Sequence, residues 1–142
     1  MLKNINPLLG PQLLKILSEM GHGDEIAIVD ANYPAQSSGN LLVRMEGVAA
    51  TDVLNAVVSV LPLDQYVEHS AFSMQVVDRP DEVPEIVTAF QATVESYEPE
   101  TQWASVERFA FYEQVKKAYA IVSTGESRLY GNVILKKGVI KA

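Results

Sequence analysis

Apolar residues recur along the chain at helical spacing, and short β-rich runs lie between those stretches. Leu13, Leu14, Ile16, Leu17 and Met20 predict a first helix, with Pro11 suited to its first turn and Gly21 just past its end. Residues 25–30 read as a strand that ends on Asp30 and runs into a polar loop over 31–40. Residues 41–45 predict a second strand. Val53, Leu54, Val57, Val58 and Leu61 then resume helical spacing behind Thr51 and Asp52, either of which suits a cap, and Pro62 closes the helix. Residues 71–77 are strand-like, Pro84 opens a segment with Ile86, Val87, Phe90 and Val94 on one side, and residues 109–117 predict a further helix.

The tail changes character. Residues 119–123 and 132–135 are β-rich runs separated by the turn-forming Thr124-Gly125-Glu126-Ser127, and the two are expected to pair. Helices alternating with strands argue for an α/β layered fold, with a partly parallel central sheet flanked by helices. The 142 residues, 48% of them hydrophobic, match one domain with one continuous core, taken as residues 1–142. No internal repeat, low-complexity tract or linker interrupts them.

Charge and composition narrow the function. Eighteen acidic residues against 11 basic ones leave a net charge of −7, which repels a phosphate backbone and makes nucleic acid a poor partner. An acidic surface suits a neutral ligand such as a sugar better than a polyanion. No apolar run approaches the roughly 18 residues needed to span a bilayer, so no membrane partner is expected. The opening residues 1–7 carry one Lys and no apolar stretch of signal-peptide length, so the expected location is cytoplasmic. The chain has no Cys and only His22 and His69, which excludes thiolate chemistry and leaves no recognised metal motif. No phosphate-binding loop, dinucleotide fingerprint or nucleophile elbow is present, and no cofactor or metal is expected.

Four places carry candidate chemistry. In Gly21-His22-Gly23 the flanking glycines leave the imidazole approachable, and a His exchanges protons readily near neutral pH. The same tripeptide also reads as a helix C-cap, with Gly21 left-handed and His22 complementing the helix dipole. Asp30 sits at the carboxyl end of a strand, where open α/β sheets place ligands, and its carboxylate can accept from two sugar hydroxyls; it equally reads as a turn-initiating Asp. Tyr33 just beyond can lie against a sugar face. Arg108 opens the aromatic-rich Arg108-Phe109-Ala110-Phe111-Tyr112-Glu113 and offers fixed donors to sugar oxygens. Alternatively Arg108 pairs with a nearby carboxylate, while Phe109 with Tyr112, or Phe111 with Val115, are core at helical spacing. In Tyr130-Gly131-Asn132 the amide supplies a donor and an acceptor together, unless the segment is only a turn before a strand.

Taken together and in this order, Gly21-His22-Gly23-Asp24-Glu25, Asp30-Ala31-Asn32-Tyr33-Pro34, the Arg108 segment and Tyr130-Gly131-Asn132 resemble the L-fucose mutarotase family, whose near relative is the D-ribose pyranase family. The similarity runs from Leu2-Lys3 to Lys136-Lys137-Gly138-Val139. The resemblance implies a ribose-pyranase-like fold and cofactor-independent interconversion of the anomers of a free monosaccharide, L-fucose before others. It implies His22 as proton donor and acceptor, and Asp30, Arg108, Tyr130, Gly131 and Asn132 as the substrate-binding set. It further implies a ring-shaped homodecamer of two stacked pentamers, in which the Tyr-Gly-Asn segment completes a neighbour's pocket. Arg108 and Gly131 favour fucose, because ribose relatives tend to carry His and Ala there. Two alternatives stand beside this reading: a ribose pyranase, and a sugar-binding module without turnover. The partner of His22 in the second proton transfer is left open between Asp30, a Tyr and water.

Overall fold

In the computed structural model, which describes residues 1–142, the β-rich runs form one six-stranded sheet. The strands are β1 (Glu25–Val29), β2 (Leu41–Met45), β3 (Ala71–Met74), β4 (Trp103–Val106), β5 (Ala120–Thr124) and β6 (Val133–Lys136), in the order β2-β5-β1-β6-β3-β4. β6 runs antiparallel to both its neighbours, and every other pairing is parallel. The expected α/β layers with a partly parallel sheet are present. No helix is long and apolar enough to cross a membrane.

Four helices cover the sheet: α1 (Pro11–Glu19), α2 (Ala50–Val58), α3 (Glu85–Glu95) and α4 (Arg108–Lys116). Leu13 and Leu17 of α1, Leu54 and Val57 of α2, and Phe90 of α3 pack with Ile26, Ile28, Val122 and Leu135 of the strands. The alternate strand residues Ala27, Val29, Ile121 and Ile134 face the other way and are covered by Phe111 and Val115 of α4. Alternation along β1, β5 and β6 therefore fills two cores at once, which requires strands apolar on both faces.

That requirement explains the main departure from expectation. The two tail strands do not pair, because β1 lies between them, parallel to β5 and antiparallel to β6. All five residues of β5 are buried, as are the first three of β6, so each belongs in the sheet interior, whereas a hairpin of the two would compete with β1. Residues 125–132 instead cross the end of β1, held there by the Ala31 amide donating to the Glu126 carbonyl at 2.9 Å.

Other boundaries differ locally. β3 stops at Met74, and the chain turns through Asp78, whose φ is 63°. α2 begins at Ala50, so Thr51 and Asp52 lie in its first turn and do not cap it. β4, with its weak apolar signal, adds an edge beside β3 that the periodicity did not predict. Phe109 is exposed, while Phe111 and Val115 are the α4 core pair.

Candidate active site

Asp30 follows the last residue of β1, and Asn132 precedes the first residue of β6; antiparallel pairing sets the two side by side. The Asp30 amide donates to Asn132 Oδ1 at 2.9 Å, and Asn132 Nδ2 donates to Asp30 Oδ2 at 3.0 Å. The Asn32 amide donates to Asp30 Oδ1 at 2.9 Å, so the Asx turn coexists with a place in the wall of a cavity. Burial pushes the Asp30 carboxyl above its ordinary range, against the opposing pull of Asn32 and Asn132. A carboxyl so placed binds hydroxyls and also takes up a proton more readily than an exposed one.

α4 delivers Arg108 to the same place. Glu107 caps the helix by accepting from the Phe109 and Ala110 amides at 2.9 and 3.0 Å, and so does not pair with Arg108. Arg108 Nε donates instead to the Tyr112 hydroxyl at 3.1 Å, and the guanidinium lies 5.3 Å from the Phe109 ring centroid and 5.5 Å from that of Tyr112. Tyr33 meets Tyr112 edge-on at 5.2 Å, and burial raises its phenol so that it stays protonated. Tyr130 accepts from the Val77 amide at 3.1 Å and holds its backbone at φ 64°, a left-handed conformation rare for a tyrosine.

Asp30, Arg108, Tyr130 and Asn132 line one cavity of about 220 Å³. Met74, Val77 and Leu129 form an apolar part of its wall. The volume falls below the roughly 300–1,000 Å³ of drug-sized sites and suits one small ring. No three His, Asp or Glu side chains converge to hold a metal ion anywhere in the chain.

Gly131 is needed here for space. A Cβ on it would stand 2.7 Å from Glu126 Cγ, 3.1 Å from the Arg128 carbonyl oxygen and 3.4 Å from Asp30 Cβ. Glu126 cannot easily yield, because its carboxylate is buried and accepts from Arg128 Nε at 2.9 Å and from a terminal guanidinium nitrogen at 3.0 Å. Gly131→Ala is therefore expected to destabilise the chain by about 1–3 kcal/mol through overpacking. Thermal unfolding of the variant beside the parent measures this, and an unchanged midpoint would show that the loop has slack.

His22 lies elsewhere. Gly23 donates its amide to the Lys137 carbonyl at 2.8 Å, at the end of β1 opposite Asp30. The length of β1 alone puts about 13 Å between the two ends. Within one chain, then, the expected catalytic residue does not share the cavity that Asp30, Arg108, Tyr130 and Asn132 line. The capping alternative also changes: Gly23, not Gly21, has the positive φ of 88°, and Lys137 Nζ donates to the Leu17 and Met20 carbonyls at 2.7 and 2.6 Å, taking the role expected of His22. His22 is half-exposed, and its Nε2 lies 3.0 Å from Oδ1 of buried Asp64. Sequence reading passed over Asp64 and gave Tyr112 only a core role. The spacing of Arg108 and Tyr112, one helical turn apart, was the available signal for the latter.

Comparison with known proteins places the chain in a family. The sequence pattern of the RbsD / FucU transport protein family matches residues 3–140. The crystal structure of a fucose mutarotase from Streptococcus pneumoniae, in complex with L-fucose, is 45% identical, with 99% of this chain and 100% of that one covered and a TM-score of 0.91. FucU from Bifidobacterium longum is 40% identical over 98% of this chain and 100% of its own, with a TM-score of 0.93. Bacillus subtilis RbsD complexed with D-ribose is 25% identical over 99% of this chain and 100% of its own, with a TM-score of 0.75.

Proposed function

Because the chain belongs to the RbsD / FucU family, we propose that it is a cofactor-independent cytoplasmic mutarotase that interconverts the α and β anomers of a free monosaccharide, L-fucose before others. The observation that carries this reading is the convergence of Asp30, Arg108, Tyr130 and Asn132 on one sugar-sized cavity. Carboxylate, guanidinium, phenol and amide together match alternating hydroxyl donors and acceptors. Met74, Val77 and Leu129 beside them suit the methyl group of a 6-deoxy sugar, where a hydroxymethyl group would lose hydrogen bonds to water.

Ring opening moves two protons. The anomeric hydroxyl loses one as the C1 carbonyl forms and the bond from C1 to the ring oxygen breaks, and the ring oxygen gains one; rotation about C1–C2 and reclosure reverse the transfers. His22 is the group we assign to the ring oxygen, and Asp30 is placed to take the anomeric proton. Since one chain cannot bring His22 to Asp30, the reading requires His22 of the partner subunit at each cavity. A ring-shaped homo-oligomer, a decamer of two stacked pentamers, supplies that contact at every site.

Magnetisation-transfer NMR with fucose, ribose and galactose tests the function. Catalytic amounts of protein are expected to speed exchange between the fucose anomers without changing their ratio, with smaller effects on the other sugars. Equal or faster exchange with ribose would favour a pyranase, a reading that draws on the likeness to the ribose-bound Bacillus subtilis RbsD. Saturable fucose binding without faster exchange would leave a sugar-binding module.

A further inference from the structure

We propose that Glu126 is a further positioning residue of the sugar cavity: bridged to Arg128 and packed with Asp30 around Gly131, it seats the Tyr130-Gly131-Asn132 turn and stands as the fixed negative neighbour of the Asp30 carboxylate. The positioning half rests on geometry, and the catalytic half on the mutarotase reading, in which Asp30 takes the anomeric proton. In sequence Glu126 belongs to the turn Thr124-Gly125-Glu126-Ser127 and reads as solvated. In the fold it is 4% exposed. Its carbonyl accepts from the Ala31 amide at 2.9 Å, its amide donates to Thr124 Oγ1 at 3.2 Å, and that hydroxyl donates to the Val29 carbonyl at 2.8 Å. The residues on either side of Asp30 are thereby tied to the segment that carries Glu126.

The side chain completes the clamp. One carboxylate oxygen of Glu126 accepts from the Arg128 amide at 3.0 Å and from Arg128 Nε at 2.9 Å, and the other accepts from a terminal guanidinium nitrogen at 3.0 Å. This fork sets the Arg128 carbonyl oxygen 3.1 Å from the point where a Gly131 Cβ would be. Glu126 Cγ and Asp30 Cβ lie 2.7 and 3.4 Å from that same point, so the two acidic side chains meet across a residue that has no side chain of its own. Arg128 holds the Glu126 carboxyl below its ordinary range against burial, assisted by the Arg128 and Ala50 amides, and so keeps it an anion. The ion pair is not electrically silent toward Asp30. Arg128 has 45% of its side chain exposed, where water screens its charge, whereas Glu126 has 4%. Of the other groups around Asp30, Arg108 and Tyr112 come from α4, Tyr33 from the loop after β1 and Tyr130 from the turn itself, while Glu85 of α3 faces Arg128. Glu126 is the carboxylate in this set that repels Asp30, in the same direction as burial. An Asp30 kept more basic in this way is the better acceptor for an anomeric proton near neutral pH.

Carboxyl ¹³C spectra of the full-length protein, labelled at Asp and Glu and assigned by correlation to the backbone, follow both groups through a pH titration. In the parent Glu126 is expected to titrate at lower pH than Asp30; the reverse order would overturn the proposal, and this comparison requires no change at position 126. Glu126→Gln is expected to lower the Asp30 midpoint by about half a pH unit or more, because a facing negative charge is removed. Arg128→Lys, which loosens the fork but keeps both charges, is expected to leave that midpoint near its parental value. Equal shifts in the two variants would reduce Glu126 to a structural brace and overturn its electrostatic role. Glu126→Gln is also expected to slow fucose exchange at saturation by about two- to fivefold, with the KM for fucose nearly constant. A lowered Asp30 midpoint with unaltered exchange would overturn the catalytic half. Absence of exchange in the parent would sink the mutarotase reading instead, and the Asp30 titration would still decide the electrostatic role. If Glu126→Gln fails to fold, the order of the two midpoints in the parent decides.

Discussion

His22→Ala is expected to slow the exchange of L-fucose anomers by about 10²- to 10⁴-fold, the usual contribution of one positioned acid/base group. That corresponds to about 3–5.5 kcal/mol of barrier and brings turnover close to the uncatalysed rate in water. The substitution suits a test because the side chain is half-exposed and its one hydrogen bond is to Asp64, so the cores on either face of the sheet are untouched. Sugar affinity is expected to change little, since the groups assigned to hold the sugar are Asp30, Arg108, Tyr130 and Asn132. Magnetisation transfer gives the exchange rate and calorimetric titration with fucose the affinity. Exchange within threefold of the parent would remove His22 from the chemistry; lost binding with an unchanged rate at saturation would make it a binding residue.

Much of this arrangement follows from short-range pattern. Asp30 could be placed at the end of a strand because apolar residues 26–29 stop there, and in an α/β sheet that end is where ligands gather. Gly131 stood out only as the middle of Tyr130-Gly131-Asn132; that Glu126, Arg128 and Asp30 crowd the position where a Cβ would be is visible only in the fold. What pattern did not carry is which strands become neighbours. β5 and β6 are close in sequence and each is strongly β-forming, yet β1 has apolar residues on both faces and takes the place between them. Strand order is a competition among pairings, and local periodicity records only who can compete.

The same limit hid Asp64. In Leu63-Asp64-Gln65 nothing distinguishes it from a surface carboxylate, and its meaning arises only when the chain between α2 and β3 comes against the turn between α1 and β1. Lys137 is a similar case: as one of two adjacent lysines it reads as solvated charge, whereas it terminates α1 and steadies the His22 loop from below. Both residues are polar groups whose partners lie far away in sequence, and burial fixes their roles more than residue type does.

The separation of His22 from the cavity leads to the second large effect. If each active site joins His22 of the partner subunit to the Asp30 cavity of its neighbour, then His22→Ala and Asp30→Asn damage different halves of one junction. Each variant alone is expected to be inactive, since every site then lacks either the acid/base or the carboxylate. Coexpression of the two in equal amounts, with distinct tags to isolate mixed oligomers, is expected to restore about a quarter of parental exchange, because random neighbours in a closed ring place an intact half against an intact half at one junction in four. A cavity that worked within one chain would give no restoration, because every chain carries one of the two lesions. Mixed oligomers as inactive as either variant, or a monomeric parent in solution, would exclude the shared site and with it the assignment of His22 as the acid/base of this pocket.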